Sequence, residues 1–185
     1  MTALRWISSD DPPYDGLHAL IAETAALGGA VGWLTVPPHD ETRAWLDGVL
    51  AGGARLVVAE DAGQVVGTAH WRRYGARVLS HNAQLSKLMT LPSARGRGIG
   101  RLVTGAVVED ARAAGIEVLS LDCRGNNHGA LRLYAELGFV VTGRRPDFIA
   151  VGDERFDQVL LHLDLRTGPG GLSRHGGRRE GPGRT

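Results

Sequence analysis

Residues 87–100 read KLMTLPSARGRGIG, and the rest of the chain organises around this stretch. It opens inside an apolar segment, residues 85–91, that reads as a strand. It crosses the glycine-rich turn Arg95-Gly96-Arg97-Gly98-Ile99-Gly100. It then enters an amphipathic segment with Ile99, Leu102, Val103, Ala106, Val107 and Ala114 on one stripe. A strand, a glycine-rich turn and a helix in that order make an anion site, because the first backbone N–H groups of a helix lack partners and the helix dipole favours negative charge. Glycine at 96, 98 and 100 lets the backbone approach a ligand, and Arg95 and Arg97 add positive charge. A diphosphate suits such a turn. It is no Walker A loop, because Arg101 and Leu102 stand where Lys and Ser/Thr are needed. Its glycine spacing also fails the dinucleotide Gly-x-Gly-x-x-Gly pattern.

Working outward, residues 3–7 alternate weakly and suggest a first strand. Residues 17–27 place Leu17, Leu20, Ile21, Thr24 and Leu27 at helical spacing. Pro37-Pro38 forbids helix, and Asp40 is the expected N-cap of a second helix to about Gly52. Residues 55–60 and 65–71 read as a hairpin around Asp61-Ala62-Gly63-Gln64. After the central strand and helix, residues 116–123 form a strongly apolar strand and 127–137 a helix closed by Gly138. Residues 139–143 and 156–165 are the last two strands. The order is β-α-α-β-β-β-α-β-α-β-β. It predicts one mixed α/β domain with a mostly antiparallel sheet of about seven strands and four helices. The crossover from 85 to 123 forces one parallel pair.

Composition agrees with a single domain. The chain has 185 residues, 43% hydrophobic and 22% charged, with formal net charge +1. This excludes disorder throughout, a coiled coil and a collagen-like fibre. No window is long and apolar enough for a membrane helix, and the first residues lack a secretory pattern, so a cytoplasmic protein without membrane contact is expected. Cys123 is the single cysteine, which excludes an internal disulfide and a cysteine zinc site. It reads as a small buried apolar residue, with an acyl-cysteine role as the alternative. The seven histidines show no metal-ligand spacing, and no metal is expected. Residues 166–185 hold five Arg, one Glu, one Leu and many Gly and Pro. This is a +4 segment beside a −3 remainder, read as a disordered solvated tail rather than a nucleic-acid contact. The domain is therefore placed at 1–165.

Two motifs in register resemble the GNAT N-acetyltransferase superfamily. Arg95, Gly98 and Gly100 match its acetyl-CoA-binding pattern, Arg/Gln-x-x-Gly-x-Gly/Ala, between a strand and a helix. Asn127, Ala130, Leu133, Tyr134, Gly138 and Phe139 match its downstream Asn-x-x-Ala-x-x-Leu-Tyr-x-x-x-Gly-Phe segment. Residues 87–98, together with the glycines of 28–32, look most like the tabtoxin-resistance acetyltransferase group. Residues 119–127 are also similar to ribosomal-protein N-terminal acetyltransferases.

The resemblance implies an acetyl-CoA-dependent N-acetyltransferase that acts on a primary amine of a small amino-acid-like toxin or antibiotic, by direct attack in a ternary complex. A protein N-terminal acetyltransferase and a non-catalytic acyl-CoA-binding module are the alternatives, and the oligomeric state, including a homodimer, stays open. The resemblance also implies that acetyl-CoA is held by Leu88, Met89, Thr90, Arg95, Gly96, Arg97, Gly98, Ile99, Gly100, Arg101 and Asn127, with a strand bulge near 88–90 presenting N–H groups to the thioester carbonyl. Tyr134 matches the family's general acid. Asp122 matches an acidic position that serves as the base in related enzymes. A base is needed because a lysine-like amine has a pKa of about 10.4 and attacks only when neutral. His81 and Gln84 compete for that role from the preceding strand, although relatives carry Glu near Gln84 and an amide is no proton acceptor. Trp33, Trp71, Gln84 and Phe148 are the acceptor-site candidates.

Overall fold

The computed structural model describes residues 1–28 and 32–166. The arrangement is β1 (Ala3–Trp6), α1 (Tyr14–Ala26), α2 (His39–Ala51), β2 (Arg55–Asp61), β3 (Gln64–Arg73), β4 (Asn82–Thr90), α3 (Ile99–Ala113), β5 (Val118–Arg124), α4 (His128–Glu136), β6 (Val140–Val151) and β7 (Glu154–Asp164). The described elements follow the expected order, and single 3₁₀ turns at Arg77–Leu79 and Pro92–Ala94 join them. Residues 167–185 of the expected tail, and Gly29, Ala30 and Val31 of the α1–α2 loop, lie outside the described residues. No described helix is long and apolar enough to cross a membrane.

One seven-stranded sheet runs β1-β2-β3-β4-β5-β7-β6. Every pair is antiparallel except β4–β5. Residues 56–59 of β2 and 65–69 of β3 are buried consecutively, so both faces of the central strands are covered. α1 packs on β3 and β4 and on α2, and α3 packs on β2, β3 and β4. Leu17, Leu20 and Ile21 of α1, Leu46 of α2 and Val103 and Val107 of α3 are fully buried. Each such side chain contributes about 1.5–3 kcal/mol.

The parallel pair decides where a ligand can go. β4 and β5 are paired only from Asn82–Val118 to Gln84–Ser120. Beyond that the strands diverge, and the later main-chain groups of β4 have no strand on the β5 side among the described residues. Along its other edge β4 pairs with β3 as far as Thr90.

Several boundaries differ from the sequence reading, among them β4, which begins at Asn82 and not 85, and three have plain causes. α2 begins at His39 with Pro38 as N-cap, and Asp40 lies inside the first turn. Its Oδ1 accepts the adjacent Glu41 N–H at 3.0 Å, and its charge still suits the helix dipole. α1 starts at Tyr14, ahead of the first apolar stripe residue, because Pro12-Pro13 sets the entry and the Pro13 carbonyl accepts from Leu17 N–H at 2.9 Å. β6 has twelve residues, well beyond 143. It is an edge strand with mostly exposed side chains, so no apolar alternation marks it, and Pro146 sits within its irregular stretch.

Candidate active site

Two adjoining clefts follow β4 through the gap. One, of about 580 Å³, is walled by Trp33, Leu88, Asp122, Cys123, Tyr134 and Ile149, among others. The other, of about 630 Å³, runs over Thr90, Arg95, Gly96, Gly98, Gly100 and Arg101. Leu88, Arg124, Asn127 and Ala130 line both.

The second cleft ends at the glycine turn. Gly96 and Gly98 have φ of +76° and +79°, a backbone region that favours glycine. A Cβ at either position meets nothing within 4 Å, so backbone conformation and not crowding demands the glycines, and the space above them is open. Gly98 is the N-cap of α3, and Leu102 N–H makes the first helical bond, to the Gly98 carbonyl at 2.9 Å. The N–H groups of Ile99, Gly100 and Arg101 precede it, as the unpaired donors of a helix start do. Gly100 serves packing: a Cβ there comes within 3.2 Å of Leu133 Cδ2 on α4.

The arginines divide. Arg95 and Arg101 line the cleft, and Arg101 pairs with Glu136. Arg97 turns away to Asp61 on the β2–β3 hairpin, which also takes the Met1 amino group at 3.3 Å. Arg97 first, then the N-terminus, holds the Asp61 carboxyl below its ordinary range. The structure therefore corrects Arg97 as a source of charge at the turn. Ile99 and Met89 bury their side chains in the core and offer the cleft mainly backbone. Asn127 caps α4 by accepting the Ala130 N–H at 3.2 Å.

β4 carries its bulge at Lys87 and Leu88, which together oppose Ala69 of β3. This is slightly earlier than the expected 88–90. Lys87 has φ of +55°, a conformation that costs a non-glycine residue about 1–3 kcal/mol. Its half-buried ammonium lies 4.0 Å from the Trp33 ring centroid, and burial pulls its pKa down. Trp33 donates Nε1–H to Glu41 Oε1 at 2.9 Å and meets Trp45 edge-on at 5.3 Å. His70 packs behind Trp45, with its pKa lowered to about 4 by burial first and then by the charges of Lys87 and Arg72.

On the facing wall, Asp122 of β5 accepts from Gln158 Nε2 at 2.8 Å and from Gln84 Nε2 at 3.5 Å. Both partners are amides, so the carboxylate is oriented without being neutralised. Cys123 and Tyr134 adjoin it. Burial first, and the Asp122 charge second, pushes the Cys123 thiol up to about 11. The Tyr134 phenol is only 6% exposed and is raised further still, chiefly by burial. Its ring tilts on Phe139 at 5.6 Å, and its hydroxyl makes no hydrogen bond among the described residues.

Four acceptor-site or base candidates fare differently from Trp33, which lines the cleft. Gln84 reaches it through Asp122. Trp71 is core, 5% exposed, and donates Nε1–H to Asp110 at 2.8 Å. Phe148 is 59% exposed under Arg145 and absent from the cleft wall, where its neighbours Ile149, Ala150 and Val151 stand instead. His81 is exposed at the closed end, where its carbonyl accepts from Glu117 N–H at 2.8 Å. Sequence reasoning missed Lys87 and Gln158. Lys87 had one visible signal: it is the chain's only lysine, inside an otherwise apolar strand. Gln158 had none.

A family model described as the acetyltransferase (GNAT) family matches residues 14–139. The chain belongs to the GNAT family. Among curated relatives, the GNAT chain is 30% identical over 135 residues to the L-amino acid N-acyltransferase MnaT of Escherichia coli, covering 70% of this chain and 77% of that one. It is also 30% identical over 131 residues to an L-methionine sulfoximine/L-methionine sulfone acetyltransferase of Salmonella typhimurium, covering 68% and 74%. These names are consistent with the tabtoxin-resistance-like resemblance. Among solved structures, an N-acetyltransferase from Staphylococcus aureus superposes with TM-score 0.79 at 21% identity, over 89% of this chain and 99% of that one. A phosphinothricin acetyltransferase from Sinorhizobium meliloti in complex with AcCoA superposes with TM-score 0.75 at 23% identity, over 91% and 92%. The fold expected from sequence is thus the GNAT fold.

Proposed function

We propose that this GNAT chain transfers the acetyl group of acetyl-CoA to the primary amine of a small amino-acid-like molecule, by direct attack in a ternary complex. One observation carries the reading. The diverging β4–β5 gap is walled at one end by the turn before α3 and at the other by Asp122 and Tyr134. The amino-acid acceptors named for the relatives, and the AcCoA complex of a fold neighbour, support it.

The residues present suit acetyl-CoA. The diphosphate takes the N–H groups of the first turn of α3 above Gly96 and Gly98, with Arg95 and Arg101 beside it. The pantetheine amides lie along the open edge of β4 as an added strand. The thioester carbonyl meets the backbone at the Lys87–Leu88 bulge, whose N–H groups stabilise the oxyanion. Asn127, which lines both clefts, stands beside the pantetheine path.

Asp122 takes the amine proton, directly or through a water, so that the neutral amine attacks. Tyr134 hydrogen-bonds the departing sulfur. Its raised pKa keeps the proton on the phenol at neutral pH. The same burial that lifts the Cys123 thiol to about 11 raises the basicity of a thiolate leaving beside it, so donor and acceptor move together.

Thermal unfolding with acetyl-CoA tests the cofactor half. Ligand at 100 times its Kd adds about 2.7 kcal/mol of stability. An unchanged Tm at saturating acetyl-CoA contradicts the reading.

A further inference from the structure

A bulge that needs only the left-handed backbone region is most cheaply built with glycine or asparagine. β4 uses Lys87 there instead, the chain's only lysine, at φ +55°. The choice also places a half-buried ammonium in the wall of the cleft, against the cost of desolvating it. The ammonium is seated: it lies 4.0 Å from the Trp33 ring centroid, and Trp33 is itself fixed by Glu41 and Trp45. His70, beside it, is neutral above a pKa of about 4 and adds no second cation at this corner.

The cleft carries charge of both signs. Among the described residues lining it, the charged side chains are Lys87, Asp122 and Arg124. Asp122 is held by two neutral amides. Arg124 lies 4.8 Å over the Phe156 ring and donates Nη2–H to the Gly28 carbonyl at 3.2 Å. An α-amino acid carries its amine and its carboxylate on one carbon, and it matches a cleft lined by both a carboxylate and a seated ammonium.

We propose that Lys87 binds the carboxylate of the acceptor and so restricts the site to α-amino acids over simple amines. The proposal rests on reading the cleft as an amine-acetylation site. A carboxylate reaching the ammonium from the cleft adds a charge-assisted contact to the Trp33 contact already there. With the carboxylate anchored at Lys87, the amine is turned toward Asp122.

The test is calorimetric binding to the full chain saturated with CoA. Three probes are used: L-methionine sulfone, its α-carboxamide, and 3-(methylsulfonyl)propylamine, which lacks the carboxylate. The wild type should bind the amino acid about 10- to 100-fold more tightly than either counterpart without the carboxylate, as a hydrogen bond to a charged group implies. Lys87→Met should erase that preference, and Lys87→Arg should keep most of it. Equal affinity for the three probes in the wild type overturns the proposal without recourse to any variant. So does a preference that survives Lys87→Met, or no saturable binding of the amino acid at millimolar concentration. Thiol release measured in parallel separates the two claims. Carboxylate-dependent binding with no release supports Lys87 and sinks the acetyl-transfer reading. Release with equal kcat/KM on all three probes supports the reaction and sinks Lys87.

Discussion

Gln158 Nε2 donates to Asp122 Oδ2 at 2.8 Å from the neighbouring strand β7, and Gln84 reaches the other carboxylate oxygen from β4. Three strands thus converge on one carboxylate at the mouth of the cleft. If Asp122 serves as the base, its aim depends on Gln158. Gln158→Leu should lower kcat about tenfold with little change in the KM for acetyl-CoA. Asp122→Asn should cost about 100-fold or more, because the proton acceptor is gone. Steady-state kinetics by thiol release checks both, and an Asp122→Asn enzyme with wild-type kcat removes Asp122 from the mechanism.

Tyr134 carries an unusual pair of expectations. Its side chain is largely buried but lines the cleft, and its hydroxyl makes no bond among the described residues. Tyr134→Phe should therefore leave Tm nearly unchanged, since no intramolecular hydrogen bond is lost. It should also cut kcat about 100-fold while acetyl-CoA affinity stays within about twofold. A stable variant with unchanged turnover contradicts the role at the leaving sulfur.

The cradle before α3 is tested by charge. Gly98→Asp places a carboxylate where the diphosphate is proposed to bind and should weaken CoA binding by more than about 100-fold. Gly53→Asp is the control, because Gly53 has a similar φ of +72° with open space around its Cβ position and lies outside both clefts. It should bear the same backbone strain and keep wild-type affinity by calorimetry. Equal losses in the two variants show that strain, not the anion site, explains the effect.

The central part of this architecture was legible in residues 85–140. There the strand, glycine turn and helix have strong periodic signals, and the Asn127–Phe139 motif fixes α4 in register with them. The side chains that aim the site were not legible. Arg95 and Arg97 are indistinguishable as letters, and only the fold brings Asp61 to Arg97 across 36 positions. Trp71 and Phe148 both looked like ligand-binding aromatics, yet one is tied to Asp110 beneath the sheet and the other sits on an exposed edge strand. The full length of β6 and the place of Phe148 on it are illegible for one reason: an edge strand with exposed side chains carries no alternation to read.

His70 gives the protein an acid-sensitive element. Its folded pKa of about 4 lies below the ordinary 6.5, so between those values the unfolded chain binds the extra proton. Stability from this group is full above about pH 6.5 and is lost as pH falls toward 4. Between pH 7 and pH 5 the loss should be about 2 kcal/mol. Urea unfolding at the two pH values should show it, and His70→Gln should remove most of the difference. An equal pH dependence in the variant contradicts the buried neutral imidazole.

The most direct test of the central claim is free-thiol release from acetyl-CoA with L-methionine sulfone as acceptor, with the product identified by mass. The account predicts release that depends on the acceptor, one thiol per molecule of N-acetylated product, and near-complete loss in Gly98→Asp. Thiol release that ignores the acceptor, or no release from a protein that binds acetyl-CoA tightly and is offered a broad panel of amino acids and amines, contradicts it and leaves an acyl-CoA-binding module as the function of the fold.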